Sequence, residues 1–361
     1  MKKILNQKKI KFPLVIATLT TIANHTNEEF NKQYDAYKRM YIALWADAKC
    51  YFFYKYNGGK IDKEFHEYAS KVQYECFKKC AGTYIKLGQY ISQQEHQMDK
   101  AWVSAMEPLC QINSETPFEE VKKTIEKEFG KKIEDLFSEF SEKPVSSASI
   151  GQVHKAKLKS NNRIVAVKVQ HPKIAFQSIG DIQVGKFSMK VCEYYYPDFK
   201  FAWMYDELEK NMKQELDFKT EAENCRKIGK FFKNDDSVIV PEIIDDFSGN
   251  KVITMSWEEG KSITDREYRI KNQIKTTEIA ELLANSFNKQ IFDFGFVHGD
   301  PHSGNLFMRK ENNKTKLVLL DHGLYETLDE KFKYSYATLW RGKLYKRYIL
   351  INFYYNFFRN F

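Results

Sequence analysis

The sequence predicts an α+β protein with two lobes behind a helical N-terminal extension, and three observations predict it. From Glu28 to about Phe140, aromatic and aliphatic residues recur at three- and four-residue spacings with no strand-like alternation. At Pro144 the pattern changes to short alternating runs separated by turn residues. The chain is 361 residues long, enough for two lobes, and 43% hydrophobic and 15% aromatic residues can fill a sizeable core. That composition excludes a collagenous, low-complexity or largely disordered chain. Basic residues exceed acidic ones by 57 to 48, a net +9 spread along the chain with no reader motif, so a nucleic-acid partner is not expected.

The first 27 residues hold Lys2, Lys3, Lys8, Lys9 and Lys11, no acid, and an apolar run from Leu14 to Ala23. Two readings stay open for residues 1–27: an organelle-targeting or membrane-surface anchor segment, or a basic start leading into a core segment. No run of 18 apolar residues occurs, which argues against a transmembrane helix. The six cysteines show no CxxC pair and no Cys/His spacing of a zinc site, so they read as reduced, mostly packed thiols.

Residues 28–141 form the helical extension. Within it, Thr116-Pro117-Phe118-Glu119 reads as a helix start with Thr116 as N-cap, and Phe118, Val121, Ile125 and Phe129 share a face before Gly130 stops the helix. Residues 142–258 begin with a hairpin, Ser149–Ala156 and Ile164–Val169 around Ser160-Asn161-Asn162, continue through helix from about Asp181 to Phe232, and end with strands at 238–240 and 252–255 flanking a turn at 248–250. Residues 259–361 hold a helix over 277–294 and short strands at 306–308 and 317–320.

The strongest chemical signal is His298-Gly299-Asp300, with Asn305 five residues after Asp300 and Asp321-His322-Gly323 beyond it. Phosphoryl transfer needs a carboxylate near the attacking oxygen, and an amide oxygen with a second carboxylate to hold a divalent metal on the phosphates. Asp300, Asn305 and Asp321 supply those types in the layout of kinase catalytic loops. Upstream, Val165-Ala166-Val167-Lys168 has the form of the strand that presents a phosphate-gripping lysine, with Lys168 on the opposite face from the valines. The hairpin before it carries small residues, Ser146 to Ser149 and Gly151, where ordinary kinases carry a glycine-rich loop. Lys168 needs a carboxylate on a helix, and the stretch from Tyr205 to Asp217 offers several. In the extension, Lys86 and Gln89 are i and i+3 on one helical face, and Gly88 between them signals a close approach of another element.

Taken together, Lys86-x-Gly-Gln89, Ser146–Ser149, Val165–Lys168, Glu215-x-Asp217, His298–Asn305 and Asp321–Gly323 resemble the UbiB family of atypical kinases, the aarF-domain-containing kinases, over about residues 70 to 340. The form Asp321-His322-Gly323 resembles the mitochondrial animal and fungal subgroup. The resemblance implies a protein-kinase-like two-lobe fold whose N-terminal helical extension covers the active site. It implies ATP and Mg²⁺ as cofactors, Asp300 as the catalytic carboxylate, and Asn305 and Asp321 as metal ligands. Lys168 would be partnered by Glu209, while Lys86 would pair with Glu215 and, with Gln89, Ser147, Ala148, Ser149 and Asp217, face the nucleotide.

Association with mitochondria, partnership with a membrane lipid or isoprenoid quinone precursor at the inner-membrane surface, and a role in lipid or ubiquinone homeostasis are implied in the same way. Protein partners stay open. Two other readings stand beside it: a non-catalytic nucleotide-sensing membrane scaffold, and a small-molecule kinase of the aminoglycoside or choline type, which the Lys86–Gln89 segment argues against. Two departures from the family pattern are present. Ser92 runs into Gln93-Gln94-Glu95-His96 without proline, and 38 residues follow Gly323, the last seventeen holding eight Tyr or Phe. A shortened C-lobe with an aromatic, lipid-associated or poorly ordered end from Tyr345 is therefore expected.

Overall fold

The structure, a computed structural model, describes residues 28–111, 115–195 and 201–344. The basic start at 1–27 and the aromatic run from Tyr345 lie outside these residues. The described residues open with helices α1 (Glu28–Tyr56), α2 (Lys63–Cys80), α3 (Thr83–Ser92) and α4 (Lys100–Met106), then α5 (Phe118–Phe129) and α6 (Ile133–Leu136). Strands β1 (Phe137–Phe140), β2 (Ser146–Ser147), β3 (Gly151–Leu158) and β4 (Ile164–Gln170) follow, and then helices α7 (Ile174–Tyr195), α8 (Trp203–Glu215) and α9 (Phe218–Phe231). Next come β5 (Val238–Ile239), β6 (Val252–Ser256) and β7 (Lys261–Ser262), then α10 (Arg266–Lys271) and α11 (Thr276–Asn288). The described chain closes with β8 (Phe296–His298), β9 (Leu306–Glu311), β10 (Lys314–Leu319), β11 (Tyr325–Thr327) and α12 (Glu330–Leu344).

Two units divide the chain differently from the expected boundaries: residues 1–114 with 173–209, and residues 115–172 with 210–361. The reason is packing. On α5, Val121 and Ile125 are buried in one cluster with Val165, Val167 and Val169 of β4, so the helix read as part of the extension belongs to the sheet unit. In the other direction, α7 belongs with α1, because Arg39 donates to Asp181 (Nε–Oδ1 3.0 Å) and also to the carbonyl of Cys80 at the end of α2.

Within the helical unit, Asp62 caps α2 by accepting from Phe65 N at 3.0 Å. Gly88 sits against Leu109, whose Cδ1 lies 2.2 Å from where a Cβ on Gly88 would stand, so the close approach read from the sequence is real. The thiols of Cys76, Cys80 and Cys225 are buried, and that of Cys110 is exposed. Among the described residues no helix is long and apolar enough to cross a membrane.

In the second unit an antiparallel sheet runs β1-β3-β4-β6, with β2 on β3. A second sheet runs β5-β10-β9-β7, and β8 pairs with β11. The strands expected to flank the turn at 248–250 do not pair: β5 joins β10 in parallel, and β6 joins β4. Helix α5 starts at Phe118 with Pro117, not Thr116, as N-cap. The Thr116 hydroxyl is taken by His171 Nδ1 at 2.6 Å, a tertiary contact that outcompetes the local cap. Gly130 does stop the helix, at φ 65°.

Candidate active site

The centre of the site is Lys168 on β4. Alternation along a strand sends Val165, Val167 and Val169 into the sheet's core and Lys168 to the other face, where it too is buried. Its ammonium lies 2.6 Å from Glu221 Oε1 and 3.2 Å from Asp321 Oδ2, and 5.3 Å above the Phe218 ring. Burial works against the charge on Lys168, but the two carboxylates outweigh it and hold the ammonium well above its usual range. Burial likewise opposes ionisation of Asp321, yet Lys168 and the Gly323 N–H (2.9 Å to Oδ1) keep it below the usual carboxylate range. The cost of burial falls on Glu221, which is pushed up to about 7 although Lys168 opposes this.

Glu209, expected to be this partner, is a correction. Its carboxylate accepts from Lys186 at 2.5 Å within the helical unit, and Lys168 is held by Glu221 instead. Helix phase explains the choice. On α9 the buried positions are Phe218, Glu221, Ala222, Cys225 and Ile228, so Glu221 is an acid on the apolar stripe of an otherwise solvated amphipathic helix. That misplaced acid was the signal available in the sequence.

The helix is fixed at its start as well. Asp217 is its N-cap, with Oδ1 accepting from Lys219 N and Thr220 N, both at 3.2 Å. Just ahead of that cap, the carbonyl of Leu216 accepts from Gln170 Nε2 at 2.9 Å. Asp217 thus serves as a helix cap. Glu215 is buried at the end of α8. Lys86 and Gln89 lie on α3 of the helical unit, and Ser92 Oγ donates to Gln89 O at 2.7 Å.

The loop of small residues is anchored by His171. Its Nε2 is 3.0 Å from the carbonyl of Ala148, and Ala148 N donates to Gly151 O at 2.9 Å. Ser147 pairs with Gln152 across β2 and β3. At Gly151 a Cβ would meet the Val169 carbonyl oxygen at 2.7 Å, so only glycine lets the loop lie this close to β4. Ser149 lies in the turn between β2 and β3.

The two acidic loops are joined by His298. Its Nδ1 accepts from Asp300 N at 2.9 Å, which leaves Nε2 to donate to the carbonyl of Asp321 at 2.7 Å. Asn305 Nδ2 donates to Asp300 O at 3.3 Å. Asp300, Asn305 and Asp321 are therefore brought into one bonded frame. His322, in place of the aromatic residue common at this position, is buried between Tyr325 Oη (3.0 Å from Nδ1) and the carbonyl of Leu319 (3.1 Å from Nε2). Burial, reinforced by His298, pushes it down to about 3.

The donor set fits Mg²⁺, a hard ion that binds one or two protein oxygens plus substrate phosphates. Asp321 and Asn305 would hold it, and it would neutralise phosphate charge there. An antiparallel sheet with a lysine–glutamate pair, followed by paired loops carrying Asp300, Asn305 and Asp321, defines a kinase-like protein.

The family is shown by comparison: residues 110–348 match the ABC1 atypical kinase-like domain, and the chain belongs to that ABC1/UbiB family. It is 40% identical over 263 residues to AarF domain-containing protein kinase 1 of Mus musculus, covering 72% of this chain and 50% of the relative. Against ABC1 family protein MCP2 of Saccharomyces cerevisiae, identity is 32% over 337 residues, with 86% and 58% covered. The chain thus spans about half the length of the curated relatives it matches. Among solved structures it is similar to Rv3197 of Mycobacterium tuberculosis, determined in complex with erythromycin, with a TM-score of 0.55, 26% identity, and 77% and 70% of the two chains covered.

Proposed function

We propose that the protein binds Mg-ATP and acts as an atypical kinase or ATPase in mitochondrial lipid or ubiquinone homeostasis. The observation that carries the nucleotide reading is the Lys168–Glu221–Asp321 cluster, a buried cation set between a helix carboxylate and a loop carboxylate. In this reading Lys168 meets phosphate, Glu221 positions Lys168, Asp300 orients the attacking oxygen, and Asn305 with Asp321 holds the metal. The loop through Ser147, Ala148 and Ser149 lies over the phosphates, and Lys86, Gln89, Glu215 and Asp217 keep the nucleotide-facing roles implied by the family resemblance. Mitochondrial placement at the inner-membrane surface, with a membrane lipid or isoprenoid quinone precursor as partner, rests on the family and on the acid-free basic start.

The test is Mg-ATP binding and hydrolysis by the full chain, with and without vesicles of anionic phospholipid. Asp321→Asn is expected to weaken Mg-ATP binding at least about tenfold with the fold intact, and unchanged affinity would sink the assignment. Binding without hydrolysis in the wild type supports the nucleotide-sensing scaffold instead.

A further inference from the structure

The helical unit contains a cavity of about 400 Å³, lined by residues of α1, α2, α4 and α7. Its walls are almost wholly apolar, with Leu44, Phe65, Trp102, Phe187 and Val191 among them. Phe187 is 61% exposed, so the cavity has a mouth at the surface. One wall is polar. Asp47 Oδ1 accepts from Gln73 Nε2 at 2.8 Å and Oδ2 from Ser188 Oγ at 2.6 Å, and Ser188 is itself 8% exposed. These three residues also line a second, 70 Å³ cavity together with Tyr84, whose buried hydroxyl has no hydrogen-bond partner among the described residues.

We propose that the larger cavity is a binding site for one uncharged amphiphile, an apolar chain or ring system whose single hydroxyl donates to Asp47. The site gives a place to a lipid partner, yet it stands on the helical unit alone and would survive failure of the nucleotide reading.

Several features carry it. An apolar space of this size is that of a small-molecule pocket, since ligand sites are mostly apolar with a few convergent polar groups. It is too small for a helix, which is about 10–12 Å across with its side chains. A carboxylate offers about four lone-pair positions, and the two donors on Asp47 leave acceptor capacity toward the cavity. Burial pushes Asp47 up, against the pull of Ser188 and Gln73, and an apolar cavity penalises a charged guest, so a neutral donor fits better than an ammonium. The 70 Å³ cavity that Asp47, Gln73 and Ser188 share has room for water.

The experiment uses the full chain without nucleotide and two probes below their aggregation limits, 12-bromododecan-1-ol and 1-bromododecane. Tryptophan quenching reads binding through Trp102, and peptide-resolved iodoacetamide labelling reads position through Cys50 and Cys192, which line the cavity, against exposed Cys110. The bromo-alcohol is expected to quench saturably and to slow labelling of Cys50 and Cys192 at least about fivefold, with Cys110 unchanged. Asp47→Asn should weaken the alcohol about tenfold and the bromoalkane less than about twofold. Quenching that never saturates, or saturable quenching without protection of the two thiols, overturns the proposal. The labelling arm needs no variant, so it decides the matter even if Asp47→Asn folds poorly.

Discussion

Lys168 and Glu221 form a buried ion pair, Nζ to Oε1 2.6 Å, in which the Glu221 side chain is 2% exposed. A pair so placed acts through position more than through net stabilisation, because desolvating both charges offsets most of their attraction. Its second carboxylate, Asp321, makes the ammonium a bridge between the sheet and the Asp321 loop.

Glu221→Gln is therefore expected to reduce Mg-ATP affinity at least about tenfold, whereas Glu209→Gln should leave it within about twofold. The Lys186–Glu209 pair is partly exposed, and losing it should change stability little. Isothermal titration of both variants checks the assignment, and the reverse ranking would restore Glu209.

His322 is expected to make the fold sensitive to acid. Its native pKa is pushed down to about 3 from an unfolded value near 6.5. Above pH 6.5 neither state binds the proton and the full contribution is present. As pH falls through 6.5 toward 3, the unfolded state is protonated first, so stability is lost by up to about 1.4 kcal/mol per pH unit. Denaturant unfolding at pH 7 and pH 5 should show His322→Phe losing less stability over that interval than the wild type. Parallel curves would refute this.

Arg39 and Asp181 are both buried, and Arg39 also holds the Cys80 carbonyl. Arg39→Met leaves a carboxylate without its cation and is expected to cost about 3–5 kcal/mol. Adding Asp181→Leu should restore part of the melting temperature. A double variant less stable than the single one would show that the pair is not the cause.

Gly88→Val should destabilise the helical unit by about 1–3 kcal/mol through overpacking against Leu109, which is fully buried. The companion change Leu109→Ala should recover some of that loss when the two are combined. Simple additivity in thermal melts would mean the steric contact does not matter.

The parts legible in the sequence are those written in local periodicity. Lys168 could be placed because a strand alternates, and the acidic loops because their spacing carries the chemistry. Glu221 was legible only as an acid on the apolar stripe of α9, and that this face meets Lys168 comes from the fold. Thr116 looks like a cap locally, and only the fold brings His171 to its hydroxyl. The pairing of β5 with β10 joins residues about eighty apart, and no turn signal announces it.

Gln170 has the last consequence. It leaves β4 two residues beyond Lys168 and holds the carbonyl of Leu216, just before α9 begins. Strand and helix are thus pinned at two points, once by ammonium to carboxylate and once by amide to carbonyl. A lever hinged at a single point can swing, and swinging this helix is a common way to break the lysine–glutamate pair in kinase-like folds. Pinned twice, it becomes a bracket. Any regulator that works by moving α9 must undo Gln170 as well as Lys168.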